Sequence, residues 1–152
     1  MGEKLNFKEV SIYEGPKQSP GFLLWHISTS WRGSIEAVLK ILELTHPQFV
    51  VLATTAWLTK SGEFVTQAAI GKMAGLDPNT ISQIITTLEK KKLIRREASF
   101  DGRAKSPKLT ADGNELLAQA LPAVEQADNQ FFNTLSAKEL EKLVQIFQKI
   151  TD

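Results

Sequence analysis

The sequence predicts a mainly α-helical fold of about six helices, interrupted by one small β-hairpin. Three observations carry this reading. Apolar residues recur at helical spacing through most of the 152 residues. Two short helical segments are separated only by a turn containing Gly75. A single stretch, Leu93 to Leu109, switches to strand character around an Asp101-Gly102 turn signal.

Residues 1–19 hold Gly15, Pro16 and several charges, and read as an irregular N-terminal arm without the apolar segment of a secretion signal. Residues 20–152 read as a single domain. Ser19 caps a helix with Pro20 in its first turn, and Leu24, Ile27, Ser28, Trp31, Ile35, Val38 and Leu42 carry it to about Leu44. Pro47 opens a second helix. It is apolar from Phe49 to Trp57 with almost no polar break, so it belongs in the core; Ser61-Gly62 ends it. Phe64-Val65 is expected to form a very short strand.

Thr66 caps a third helix with Ile70, Met73 and Ala74, which stops at Gly75. Asp77 caps a fourth, with Pro78 at its first position and Ile81, Ile84, Ile85 and Leu88 as its core stripe. Leu93 to Ala98 and Lys105 to Leu109 are the hairpin strands. Thr110 caps a long helix bearing Leu116, Leu117, Leu121, Val124 and Phe131, with a kink expected at Pro122. Ser136 and Glu139 form a capping box for a last helix with Leu140, Leu143, Val144, Phe147 and Ile150.

Composition removes several classes of function. Apolar residues make up 42% and charged residues 23% of the chain, which suits a folded soluble domain. The net charge of +1 offers no argument for nucleic acid, so any basic footprint must be local. The chain has no cysteine, which excludes thiol catalysis, thiolate metal sites and cysteine redox sensing. His26 and His46, twenty residues apart, make no metal constellation and read as surface or capping residues. There is no Gly-rich phosphate loop and no nucleophile elbow, so no catalytic residue and no cofactor is expected. No apolar run approaches the ~20 residues that span a bilayer. The cytoplasm is the expected compartment, with no membrane partner.

Two short helices joined by a Gly-containing turn, then a hairpin, then a helix, is the order of a winged helix-turn-helix. Gly71 puts a small residue where the two short helices cross. Projected at ~100° per residue, the fourth helix places Asn79, Gln83, Thr86 and Lys90 opposite its isoleucine stripe, flanked by Thr80 and Thr87. Asn and Gln can bond adenine bidentately and Lys can neutralise phosphate. A solvated polar face would look the same, so the helix alone does not decide for DNA.

The hairpin adds the deciding residues. Asp101-Gly102-Arg103-Ala104-Lys105-Ser106-Pro107-Lys108-Leu109-Thr110-Ala111-Asp112-Gly113 closely resembles the wing signature of the MarR family of transcription regulators, Asp-x-Arg followed by Leu-Thr-x-x-Gly. Thr80-Ile81-Ser82, Leu88-Glu89 and Leu93-Ile94 resemble the family's recognition helix and first wing strand. The specific motifs cover residues 66–113, and the order of the flanking helices extends the resemblance to about 20–150. It implies a DNA-binding part at about 47–110. It also implies dimerisation helices at about 20–44 and 111–150, interlocked in an intertwined homodimer on palindromic double-stranded DNA.

By the same resemblance the chain is a repressor controlled by a small aromatic effector. Trp25, His26, Trp31, Phe49 and Trp57 are the candidates for lining its pocket. Arg103 would reach into a minor groove, with Asp101 holding its guanidinium extended. Arg95, Arg96, Lys105 and Lys108 would add positive charge. Three residues depart from the family pattern: Gln83 where many relatives carry arginine, Lys92 where a helix-ending glycine is usual, and Pro107 inside a strand, which fits only an edge or a bulge. Near-neutral charge, Gln83 and Lys92 keep an alternative open, a winged-helix module that acts mainly through protein–protein contacts with weak DNA binding.

Overall fold

A computed structural model describes residues 2–99 and 101–152; Met1 of the arm lies outside them. The described residues form seven α-helices and one two-stranded sheet. In order these are α1 (Phe7–Val10), a 3-10 turn (Pro16–Gln18), α2 (Pro20–Lys40), α3 (His46–Thr59), α4 (Gln67–Ala74) and α5 (Pro78–Lys90). Strands β1 (Ile94–Ala98) and β2 (Lys105–Leu109) follow, then α6 (Ala111–Phe131) and α7 (Ala137–Thr151). The arm is thus less irregular than its composition implies, since it contains one helical turn and one 3-10 turn.

Helix starts follow their caps. The side chains of Ser19, Thr66, Asp77, Thr110 and Ser136 each accept the backbone N–H three residues on. The reciprocal capping box falls elsewhere than expected. Thr45 and Gln48 satisfy each other at the start of α3, whereas the Ser136 hydroxyl is itself bonded to the Glu139 carboxylate (3.1 Å). Pro122 stands on the exposed side of α6, which runs on through it as one helix.

The core is made by one face of each central helix. Ile35 and Leu39 of α2 meet Val51 and Leu52 of α3, Ile70 of α4, and Ile81, Ile85 and Leu88 of α5; Leu117, Ala120 and Val124 of α6 close it. Each fully buried Leu or Ile contributes roughly 1.5–3 kcal/mol relative to exposure. Helix α4 crosses α5 at Gly71, where a Cβ would stand 3.2 Å from the Leu76 carbonyl oxygen and 3.3 Å from Ile81. Helix α7 buries no residue of its own.

Among the described residues two non-glycine residues adopt left-handed backbone, Glu43 (φ 55°) and Lys92 (φ 60°). Both follow a helix end in the same geometry. Lys92 N–H bonds Glu89 O and Leu93 N–H bonds Leu88 O; Glu43 N–H bonds Lys40 O and Leu44 N–H bonds Leu39 O. In each the next residue, Leu93 or Leu44, is buried, and its contacts offset the cost of ~1–2 kcal/mol that an L-residue meets there.

Strands β1 and β2 pair antiparallel with Ile94 opposite Leu109 and Arg96 opposite Pro107. Thr110 N–H bonds Leu93 O, and Ser99 N–H bonds Ala104 O. Alternation between these ends makes Arg95–Lys108 and Glu97–Ser106 the hydrogen-bonded pairs. The Pro107 nitrogen therefore faces away from β1, and its missing N–H removes no ladder bond. Phe64-Val65 forms no strand; Val65 is joined to β2 by the side chain of Ser106.

The base of the hairpin is the tightest point of the chain. Thr110 Oγ1 donates to Lys92 O (2.7 Å) and accepts Gly113 N–H (3.0 Å). A Cβ on Gly113 would overlap the Leu93 carbonyl group, which is backbone and cannot swing aside. Gly113→Ala should therefore destabilise the fold by on the order of 3 kcal/mol, read as a lowered denaturant midpoint. Asn114→Ala, one residue on, serves as the control with a near-native midpoint.

Candidate nucleic-acid interface

Helix α5 presents the face read from sequence. Asn79, Gln83, Thr86 and Lys90 are exposed, while Ile81, Ile85 and Leu88 are buried and Ile84 is half-buried. Its first turn is held firmly. Asp77 accepts both the Thr80 N–H (3.0 Å) and the Thr80 hydroxyl (2.6 Å). These bonds hold the Asp77 carboxyl below its ordinary pKa, the side-chain bond contributing most. The Thr80 hydroxyl is thus already engaged, and Thr87 donates its own to Gln83 O (3.0 Å). Among the described residues, the outward groups without such internal bonds are the amides of Asn79 and Gln83, the Thr86 hydroxyl and the Lys90 amine.

The hairpin tip is closed by side chains. Asp101 Oδ1 accepts the Ser99 hydroxyl (2.6 Å) and the Arg103 backbone N–H (3.1 Å), and Gly102 takes positive φ. The Ser99 bond, then the Arg103 bond, keep the Asp101 carboxyl below the usual carboxylate range. This corrects the expectation that Asp101 extends the Arg103 guanidinium. The carboxylate is spent on the turn, and the Arg103 side chain forms no ion pair among the described residues. Arg103, Ala104 and Lys105 are all exposed.

Arg95, Arg96 and Lys108 are partly neutralised. Glu97 accepts from both Arg95 (2.9 Å) and Lys108 (2.8 Å), and its pKa is lowered, chiefly by the Lys108 bond. Arg96 Nε lies 3.2 Å from Glu89 Oε1, so β1 is tied to the last turn of α5. Sequence reasoning missed Glu97, Glu89 and Ser106. The Arg95–Glu97 spacing was a signal for Glu97, because i, i+2 neighbours on a strand share a face; nothing local paired Glu89, on α5, with Arg96 of β1. Nothing in the local pattern marked Ser106 as buried.

The five aromatic and histidine candidates for a pocket are dispersed. Trp25, His26 and Trp57 are exposed, and Lys60 stacks over the Trp57 ring at 3.4 Å. Phe49 is a core residue. Trp31 is half-buried; its Nε1–H donates to Asp128 (2.7 Å) and its ring meets His46 edge-on at 5.1 Å between centroids. An apolar cleft of about 640 Å³ lies elsewhere, between α2 and the α6–α7 end, lined by Leu23, Leu24, Ile27, Phe131, Leu143 and Phe147. His46 is not a surface residue as expected: only 9% of it is exposed.

Helix, turn, helix, wing, with a polar face on the second helix and a cation at the wing tip, define a winged helix-turn-helix DNA-binding protein. The MarR family model matches residues 44–105. The chain is 38% identical over 130 residues to the uncharacterized HTH-type transcriptional regulator YdcH of Bacillus subtilis (strain 168), covering 85% of this chain and 88% of that one. The crystal structure of CouR from Rhodococcus jostii RHA1 bound to p-coumaroyl-CoA superposes with a TM-score of 0.82. It is 23% identical and is matched over 91% of this chain and 96% of that one. A MarR family protein of Mycobacterium tuberculosis in complex with salicylic acid is 26% identical with a TM-score of 0.67, over 87% and 96% of the two chains. The chain belongs to the MarR family: it is a transcriptional regulator, not an enzyme. Among the described residues no helix is long and apolar enough to cross a membrane.

His46 makes this architecture sensitive to pH. Burial, and then the Arg32 charge, lower its pKa from the ordinary 6.5, against opposing pulls from Glu36 and Asp128. The unfolded chain takes up the proton first as pH falls. The contribution to stability is intact above about 6.5 and is lost as pH falls from there towards the lowered value. The denaturant midpoint should fall between about pH 7 and pH 5, and His46→Gln should flatten the part of that fall owed to this group.

Proposed function

We propose that the chain is a repressor that acts as a homodimer on a palindromic operator and is released by a small aromatic acid. Asn79, Gln83 and Thr86 read base edges in the major groove, Lys90 meets a phosphate, and Arg103 enters the adjacent minor groove, with Lys105 contacting the backbone beside it. The observation that carries this reading is the clean division of α5 into an isoleucine face in the core and an amide, hydroxyl and amine face in solvent. Asn79 and Gln83 fit adenine, and Gln83, standing where many relatives carry arginine, exchanges a guanine- or phosphate-binding cation for an amide suited to adenine. Arg95 and Lys108, held by Glu97, play the smaller part in binding.

The dimer is supported by apolar surface at both ends of the chain. Leu24, Trp25 and Ile27 of α2 and Val144, Phe147 and Ile150 of α7 are exposed, and contiguous patches of this kind mark protein interfaces. The effector class rests on the salicylic acid complex of the Mycobacterium tuberculosis relative. A second reading, action through protein contacts with weak DNA binding, draws on the Glu97 bridge that masks two wing cations.

Selection of bound duplexes from random DNA by the purified protein should return inverted repeats; no enriched sequence would favour the second reading. On a selected duplex, Arg103→Ala should weaken binding by on the order of 1–3 kcal/mol with an unchanged circular dichroism spectrum. Lys90→Ala should weaken all sequences alike and lower the salt slope by about one unit. Sedimentation at micromolar concentration should show a dimer, and a clean monomer would refute the proposed assembly.

A further inference from the structure

Ser106 is fully buried although residues 101–105, directly before it in the hairpin, are all exposed. Its single hydroxyl makes two bonds to one residue 41 positions away. It accepts the Val65 N–H (3.0 Å) and donates to the Val65 carbonyl (2.8 Å), so both backbone polar groups of a buried residue are satisfied by one side chain. Val65 directly precedes Thr66, the cap of α4. The bond therefore joins the second wing strand to the first turn of the helix-turn-helix.

The neighbouring residue shows why a side chain is needed. Backbone groups of Lys105, Pro107 and Leu109 face away from β1, towards the side on which a third strand would add. Pro107 has no N–H to offer there. A backbone ladder between β2 and the Phe64-Val65 segment lacks its central donor, and no such strand is present among the described residues. The hydroxyl of Ser106 supplies both the donor and the acceptor.

We propose that Ser106 is a positioning residue for DNA recognition: its clasp on Val65 fixes the orientation of the wing, and so of Arg103, relative to α4 and α5. Arg103 lies three residues before Ser106 on the same arm of the hairpin and is exposed. Without the clasp the wing keeps the Arg96–Glu89 pair on β1, the buried Pro107 and Leu109 of β2 and Thr110 at its base, but β2 loses its side-chain hydrogen bonds to the segment that leads into α4. The inference rests on the reading of Arg103 as a groove contact, and the tests separate the two.

Full-length wild type, Ser106→Ala, Ser106→Thr, Arg103→Ala and the Ser106→Ala/Arg103→Ala double variant are titrated with one duplex selected by the wild type, well below each melting temperature. Ser106→Ala should weaken binding about tenfold, the size of one positioned hydrogen-bonded contact. Ser106→Thr, which keeps the hydroxyl, should restore most of it. In the Arg103→Ala background, Ser106→Ala should cost little more, because the side chain it positions is already gone. A loss that simply adds to that of Arg103→Ala would overturn the proposal, since it would report general destabilisation. Amide hydrogen exchange on the DNA-free protein gives an independent reading: Ser106→Ala should speed exchange at Val65 and across 103–106. Unchanged exchange together with wild-type affinity would also overturn it. If Arg103→Ala bound normally while Ser106→Ala still weakened binding and loosened the wing, the clasp would stand and the groove contact would lie elsewhere on the wing.

Discussion

The recognition helix and the wing meet at the junction of Lys92, Leu93, Thr110 and Gly113, and the rest of the reading head is built out from it. Helix α5 ends there, β1 begins, β2 ends and α6 begins. Four elements can meet only because backbone packs on backbone: Gly113 lies against the Leu93 carbonyl with no room for a side chain. Thr110 serves both sides, capping α6 with its oxygen and bonding Lys92 O with its proton. The Leu-Thr-x-x-Gly signature is the sequence form of this junction. Its leucine fills the core, its threonine is the shared cap, and its glycine is the space.

Lys92 belongs to the same junction, and its left-handed backbone follows from it. The helix must stop and reverse so that Leu93 can drop back onto the core beside Leu88. Glycine is the unstrained solution at such a position. Here the chain keeps lysine, and the neighbouring Lys91 Nζ reaches across to the carbonyl of Glu43 (2.6 Å), the other left-handed residue. The two helix ends that carry backbone strain are therefore joined by one bond, which ties the end of α5 to the α2–α3 corner.

The order of elements, the caps and the phase of α5 were legible because each rests on local chemistry. Ser19, Thr66, Asp77 and Thr110 announce helix starts by their own hydrogen bonds, and the alternation of Ile81, Ile84, Ile85 and Leu88 with Asn79, Gln83, Thr86 and Lys90 fixes a rotation. What stayed hidden depends on residues far apart in the chain. His46 is buried because Trp31 folds over it, Ser106 because Val65 stands opposite, and Glu97 matters because register puts Arg95 and Lys108 within its reach. Asp101 departs from expectation for the opposite reason. Its nearest partners, the Ser99 hydroxyl and the Arg103 amide, are closer than the guanidinium assigned to it, and a short side chain in a turn bonds locally first.

Pro107 has an effect beyond the molecule itself. A two-stranded ribbon exposes two rims of unpaired amides, and such rims recruit strands from other chains. On β2 the middle donor of the outward rim is missing, and the side chain beside it is turned inward to Val65. Ser106 and Pro107 are themselves fully buried, so the middle of that rim is covered by the protein and is not open to a second ribbon. The β2 edge is thus closed to edge-to-edge association along its buried middle, while the tip of the wing stays exposed and basic.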